Sequence, residues 1–176
     1  PQCEKALKDG KDVLCFTDDV DEFAVKMLGE YEGKQFKNVL SEEVSASKED
    51  DEKTEQDKDM LGKIKDALGD KVSKVKVSSA IGDHAVCLSS EGEVSLEMEK
   101  VLNSMPGAEE KVKANKVLEL NPAHPIYEKL KAVYGANPDD IADYAEVLYQ
   151  SARLVSGLNV EDPTAVTDKM FALLAK

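Results

Sequence analysis

The sequence predicts an α+β fold: a small antiparallel or mixed sheet with packed helices, ending in two helices that form half of an intermolecular four-helix bundle. Three observations carry this. Short β-branched runs ("KVSKVKV", "HAVCLSS", "KVLEL") are separated by longer stretches with apolar residues at helical spacing. Residues 137–176 hold two further helical stripes and no strand signal. A chain of 176 residues, 41% hydrophobic and 34% charged, is also long enough to bury a core.

The elements follow in chain order. The first ten residues read as the tail of a helix ending at Gly10. "DVLCFT" reads as a buried strand. "DDVDEFAVKMLGEY" then reads as a helix with Val20, Phe23, Ala24, Met27 and Leu28 on one side, and "FKNVL" as a second short strand after a turn at Gly33. Residues 1–40 therefore form a first unit. Residues 41–59 carry nine acids against three lysines with no apolar stripe, and are expected to be a solvated linker or a frayed helix start before a larger unit, 60–176.

In that larger unit Met60, Ile64, Ala67 and Leu68 give a helical stripe up to Gly69. Val72, Val75 and Val77 alternate, and with "HAVCLSS" they suggest adjacent antiparallel strands; "KVLEL" supplies a third strand after an intervening helix. That helix, in "EGEVSLEMEKVLNSMPG", places Val94, Met98, Val101, Leu102 and Met105 on one face. Spacing alone makes the face core, although methionines also suit adaptable binding surfaces. In "LELNPAHPIYEKL", Asn121 and Pro122 are expected to start a helix whose inner stripe is Ile126, Leu130 and Val133, leaving His124 as a structural residue of its first turn.

Asn137 and Pro138 repeat the cap-then-proline signal before a stripe of Ile141, Tyr144, Ala145, Leu148, Ala152 and Val155, widened by Leu154 and Leu158. Asp162 and Pro163 open a last helix carrying Val166, Met170, Leu173 and Leu174. Two consecutive antiparallel helices of this kind are covered either by the chain's own core or by the same helices of a second copy.

Composition narrows the function. A net charge of −13 opposes nucleic-acid binding, which rests on neutralising phosphates. No apolar run approaches the ~20 residues that span a bilayer; with no signal-peptide pattern at the start, a cytoplasmic protein without a membrane partner is expected. Cys3, Cys15 and Cys87 suit neither a disulfide framework nor a metal site, and the apolar runs around Cys15 and Cys87 suggest buried thiols. Asp18, Asp19, Asp21 and Glu22 offer the clustered oxygens a hard cation wants, and so a metal-dependent enzyme as one alternative. Acids in a first helical turn also meet the helix dipole and cap free N–H groups, which is the preferred reading. His84 and His124 have no third ligand at zinc-like spacing, and neither a nucleophile elbow nor a glycine-rich phosphate loop is present.

"KVLELNPAHPIYEKL" resembles the strand–turn–helix signature of the heat-shock protein 90 chaperones, particularly their bacterial branch. The likeness runs through the chain: "VLCFTDDVDEFAVKMLGEYEGKQFKNV" is similar to the end of the family's middle domain, and "KVKVSSAIGDHAVCLSSEGEVSLEMEKVL" to the start of its C-terminal dimerisation domain. His84 departs from the family pattern, and "FALLAK" stands in place of the acidic tail of cytosolic eukaryotic members.

The resemblance implies a non-enzymatic segment of an ATP-dependent chaperone, acting as a parallel homodimer. It implies self-association through Ile141, Tyr144, Ala145, Leu148, Ala152, Val155, Met170, Leu173 and Leu174. It implies binding of unfolded or partly folded client proteins at Glu22, Phe23, Val94, Met98, Val101 and Leu102, so that the methionine helix becomes a partly exposed face. Phe23 falls at a position where the family often has Trp. No catalytic, cofactor or metal residue is expected in these 176 residues; ATP and Mg²⁺ belong to the longer parent protein. A purely structural dimerisation domain remains the other alternative.

Overall fold

The computed structural model describes residues 3, 6, 7, 10–41, 47–105 and 111–175. It is a mixed α+β structure, as the strand and helix periodicities predict. The expected helix tail in residues 1–10 falls largely outside the described residues, as does the Pro106–Gly107 end of the methionine helix.

The first forty residues differ most from expectation. Residues 12–17, predicted as a buried strand, form none. No strand among the described residues pairs with them, and a strand without a neighbour has neither ladder bonds nor cover. Leu14 and Phe16 are exposed, and Cys15 is an exposed thiol rather than a buried one. The helix follows as α1 (Asp21–Leu28), but Met27 on its expected inner side is 90% exposed. Its acids brace the preceding turn rather than cap the helix: Asp21 Oδ2 accepts from the Thr17 and Asp18 amides at 3.2 and 3.0 Å. A hairpin of β1 (Glu30–Tyr31) and β2 (Lys34–Gln35) comes next. Its two-residue turn places Glu32 at φ 50° and Gly33 at φ 74°, the left-handed pair that a tight hairpin requires. "FKNVL" is not a strand of its own; its end touches the main sheet, where the Ser90 amide donates to Leu40 O at 3.0 Å and Ser41 bridges Ser90.

The acidic stretch contains an ordered helix, α2 (Lys48–Gln56), capped by Ser47 and followed at once by α3 (Lys58–Leu68). Helix α2 has almost no apolar surface and docks through polar side chains. Asp50, 4% exposed, accepts from the Ser79 amide through both carboxylate oxygens at 3.1 Å, and Thr54 Oγ1 accepts from the Val77 amide at 3.0 Å. These amides belong to the outer edge of β3 (Lys74–Val77) and its continuation, so two side chains one helical turn apart close a sheet edge.

The main sheet has the order β3, β5 (Asn115–Leu120), β4 (Val86–Glu91), with β3 parallel and β4 antiparallel to β5. The strands expected to be neighbours, β3 and β4, are separated by β5. Asn121 accounts for the arrangement. Its Nδ2 donates to Gly82 O at 2.8 Å and His84 O at 2.9 Å, pinning the β3–β4 connection across the end of β5. Val117, Leu118 and Glu119 of β5 are fully buried, with Glu119 paired to Lys76 at 3.6 Å and accepting from Ser89 Oγ at 2.6 Å.

One face of this sheet packs with α3 and with α6 (Ile141–Val155) around Ile64, Leu88, Leu118, Tyr127, Ile141 and Ala145. Helices α4 (Leu96–Ser104), α5 (Pro125–Ala136) and α7 (Pro163–Leu174) complete the chain. His124 is the N-cap of α5 itself: Nδ1 accepts from the Ile126 amide at 3.2 Å, and Pro125 is the first helical residue. Asn121, expected to be that cap, closes the preceding turn instead.

Removing the buried Asp50 carboxylate leaves the Ser79 amide, part-buried at the sheet edge, without its acceptor. Asp50→Ala is expected to destabilise the fold by roughly 1–3 kcal/mol, read as a lower urea midpoint, with the Ser79 amide exchanging faster than those of β5; unchanged stability would refute the edge-closing role.

Candidate functional site

Two surfaces gather the candidate residues. The first lies where α1 meets the start of α4. Ser95 caps α4, its Oγ accepting from the Met98 amide at 3.0 Å while donating to Glu22 Oε2 at 2.8 Å. The other Glu22 oxygen accepts from Asn38 Nδ2 at 3.1 Å, and Lys26 pairs with Glu93 at 3.2 Å. A polar hinge thus brings Glu22 and Phe23 to the methionine helix. Phe23, Val94, Met98 and Leu102 are half-buried, whereas Val101 is only 6% exposed and faces inward with Leu96. Leu96 was missed in the sequence because it sits off the Val94–Met98–Val101 spacing. Glu99 holds the far side by accepting from the Ala114 amide and pairing with Lys116.

The four acids Asp18, Asp19, Asp21 and Glu22 do not converge on a cation position. Asp21 is occupied with backbone amides and Glu22 with Ser95 and Asn38. Among the described residues, no group of three His, Cys, Asp or Glu is placed to hold a metal ion. No helix of the described residues is long and apolar enough to cross a membrane.

The second surface is made by α6 and α7. Ile141, Tyr144, Ala145, Leu148 and Ala152 are buried in the chain's own core against the sheet and α3. Val155, Met170 and Leu174 are exposed, and Leu173 packs partly against that core. With Leu154 (62% exposed) and Phe171 (66%), they leave apolar surface on two consecutive helices. Phe171 was missed because it follows Met170 by one residue and falls off the stripe, though a large aromatic there was itself a signal.

Between α6 and α7 lies a cleft of ≈ 320 Å³ lined by the charged side chains of Lys71, Glu146, Glu161 and Lys169 with Gln150, Ala165 and Val166. Lys71 Nζ donates to both Glu146 oxygens at 2.8 Å and stands 3.6 Å from Glu161. Burial alone would raise the Glu146 carboxyl, but the bonds from Lys71 and Gln150 outweigh it and hold the group below the usual carboxylate range. Such a depressed group stabilises the fold above its unfolded value of ~4.5 and loses that contribution as pH falls below it.

The family model described as Hsp90 protein matches residues 1–176. Chaperone protein HtpG of Bacillus velezensis is 44% identical over 173 residues, covering 96% of this chain and 28% of that protein. HtpG of Clostridium perfringens is 45% identical over 176 residues, and that of Bacillus subtilis 39% over 175, covering 99% and 97% of this chain and again 28% of each relative. The chain spans little more than a quarter of the length of these relatives.

Ser95→Ala removes both a helix cap and the link to Glu22. A loss of about 1 kcal/mol is expected from the cap, with faster amide exchange at both Met98 and the Asn38 side chain; a change at Met98 alone would show that the hinge to α1 does not depend on Ser95.

Proposed function

The chain belongs to the Hsp90 protein family, and from that premise we propose that it is the segment of a molecular chaperone that joins two copies and offers surface to client proteins. The observation that carries this reading is the set of exposed apolar side chains on two consecutive helices, Leu154 and Val155 at the end of α6 and Met170, Phe171 and Leu174 in the second half of α7. Helix α7 buries none of its residues in the chain. An apolar helix face without cover is a docking surface. A second copy of the same hairpin, related by a two-fold axis, is the simplest cover because each face is then both donor and acceptor.

The mechanism is binding without covalent chemistry. Met98 and Leu102, half-open on α4, with Phe23 and Glu22 beside the start of that helix, hold unfolded segments weakly through adaptable apolar contacts. Self-association sets two such faces at high effective concentration, so weak contacts add. ATP and Mg²⁺ bind, on this reading, in the part of the cytoplasmic parent protein beyond these 176 residues, and domain closure driven there alters the faces. The short share of its relatives that this chain spans supports that division. The inward packing of Val101 and Leu96 favours a second reading, a dimerisation module whose α4 is structural.

Sedimentation of the 176-residue chain across a dilution series tests self-association. Wild type is expected to dimerise and Phe171→Glu to stay monomeric with its helix content intact. Leu148→Glu is a poorer probe, since Leu148 lies in the chain's own core and its charge would unfold the protein. A wild type that is monomeric at all concentrations defeats the dimer. For the client surface, light scattering of an aggregating unfolded protein is expected to be suppressed by wild type and several-fold less by Met98→Ser/Leu102→Ser; equal suppression would leave α4 as structure only.

A further inference from the structure

Helix α7 carries Met170, Phe171 and Leu174 outward, yet no residue of it is buried against the rest of the chain. Its position must therefore come from elsewhere. Leu173 touches the core, Lys169 pairs with Asp143 of α6 at 3.2 Å, Ala165 and Val166 line the cleft against α6, and the polar ties are completed by the turn that precedes it.

That turn is held by one buried amide and one carboxylate. Gln150, 1% exposed in the middle of α6, donates from Nε2 to Glu161 Oε2 at 3.3 Å and accepts at Oε1 from the Glu161 backbone amide at 3.2 Å. The same Nε2 donates to Glu146 Oε1 at 2.9 Å. Glu161 Oε1 accepts from Arg153 at 2.8 Å, and Lys71 reaches the carboxylate at 3.6 Å from outside the hairpin. Arg153 also donates to Asn159 O at 2.8 Å, and its own carbonyl accepts from the Leu158 amide at 2.8 Å. The turn from Gly157 to Asp162 is thus tied to α6 at Gln150 and Arg153, one turn apart, immediately before Asp162 caps α7.

We propose that Glu161, clamped by Gln150 and Arg153, is the positioning residue that sets the angle of α7 against α6 and so fixes where the exposed Met170, Phe171 and Leu174 stand relative to α6. The inference rests on the self-association reading for its consequence, though not for its geometry. A directed polar pair, anchored on the buried Gln150 and reaching the exposed Glu161, is well suited to the task. Apolar contacts tolerate sliding, whereas a reciprocal amide–carboxylate arrangement is satisfied in one register only.

The test uses the whole chain with Glu161→Ala and Glu161→Gln. Two quantities are measured: the dimer dissociation constant by sedimentation, and hydrogen exchange of α7 at a dilution where the protein is monomeric. Glu161→Ala is expected to weaken dimerisation about tenfold or more, the scale of one lost charged hydrogen bond, and to speed α7 exchange in the monomer. Glu161→Gln, which keeps the side chain's length and an amide partner for Gln150, is expected to recover part of both. Circular dichroism should show α6 and the core helices unchanged; if Glu161→Ala fails to fold, the Glu161→Gln comparison decides alone. A wild-type dimer whose affinity and α7 exchange are indifferent to both changes overturns the inference and leaves the self-association reading standing. A weakened dimer with unaltered α7 exchange in the monomer also overturns it, because Glu161 would then be an interface contact. A wild type that never dimerises overturns the self-association reading; α7 exchange then judges the positioning role by itself.

Discussion

Strand β5 is the constraint from which the rest of the structure follows. It is flanked on both sides, so its backbone is satisfied only when β3 lies parallel on one edge and β4 antiparallel on the other. Placing β5 between two strands that are consecutive in sequence forces the β3–β4 connection to pass over its end. Asn121 makes that crossing stable by taking Gly82 O and His84 O while its own amide donates to Ala85 O. Once the crossing is fixed, the apolar face of the sheet is fixed too, and α3 and α6 close over it.

Helices that bury little or no apolar face are seated by another principle. In a chain that is 34% charged, side chains reach out to backbone groups or to one another across element ends. Asp50 and Thr54 seat α2 on the β3 edge, Ser95 joins α4 to Glu22 of α1, and Gln150 with Arg153 holds the turn before α7. Each is a polar bond with a defined direction. Hydrophobic burial supplies most of the free energy in the core, but direction at these junctions comes from hydrogen bonds.

These two principles explain which parts were legible in the sequence. Helices α3, α6 and α7 announced themselves by period, and α7 also by its Asp162–Pro163 start, because both are local signals; the Asn137–Pro138 signal read for α6 caps the short 3-10 turn Pro138–Asp140 before it instead. The β5 run was equally plain, but its place between β3 and β4 was not, since pairing order depends on Asn121 and on contacts far apart in sequence. "DVLCFT" misled because an apolar run states a capacity to be buried and not the presence of a partner strand. The stripe on α6 was correctly seen; that most of it serves the chain's own sheet could not be, because the same pattern fits an inner or an outer core. Gln150, a polar residue beside that stripe, was the local sign of a junction, but its partner Glu161 lies beyond a turn whose course the sequence leaves open.

The burial of the α6 stripe changes the energetics of the proposed dimer. Residues such as Ile141, Ala145 and Ala152 contribute by making α6 rigid rather than by touching a second copy. The contact surface is left to a few exposed side chains, among which Phe171 is the largest and Leu174 the most exposed. Binding energy in small interfaces concentrates in such anchors, and each anchor is used twice when the axis is two-fold. Anchors of this kind are sensitive to geometry. If α7 tilts, Met170, Phe171 and Leu174 shift together relative to α6, and a two-fold axis repeats the shift on the other side. Rigid support from α6 and a fixed turn at Glu161 are therefore requirements of the same surface: the first supplies a firm base in the core, and the second aligns on it a helix that has no core of its own.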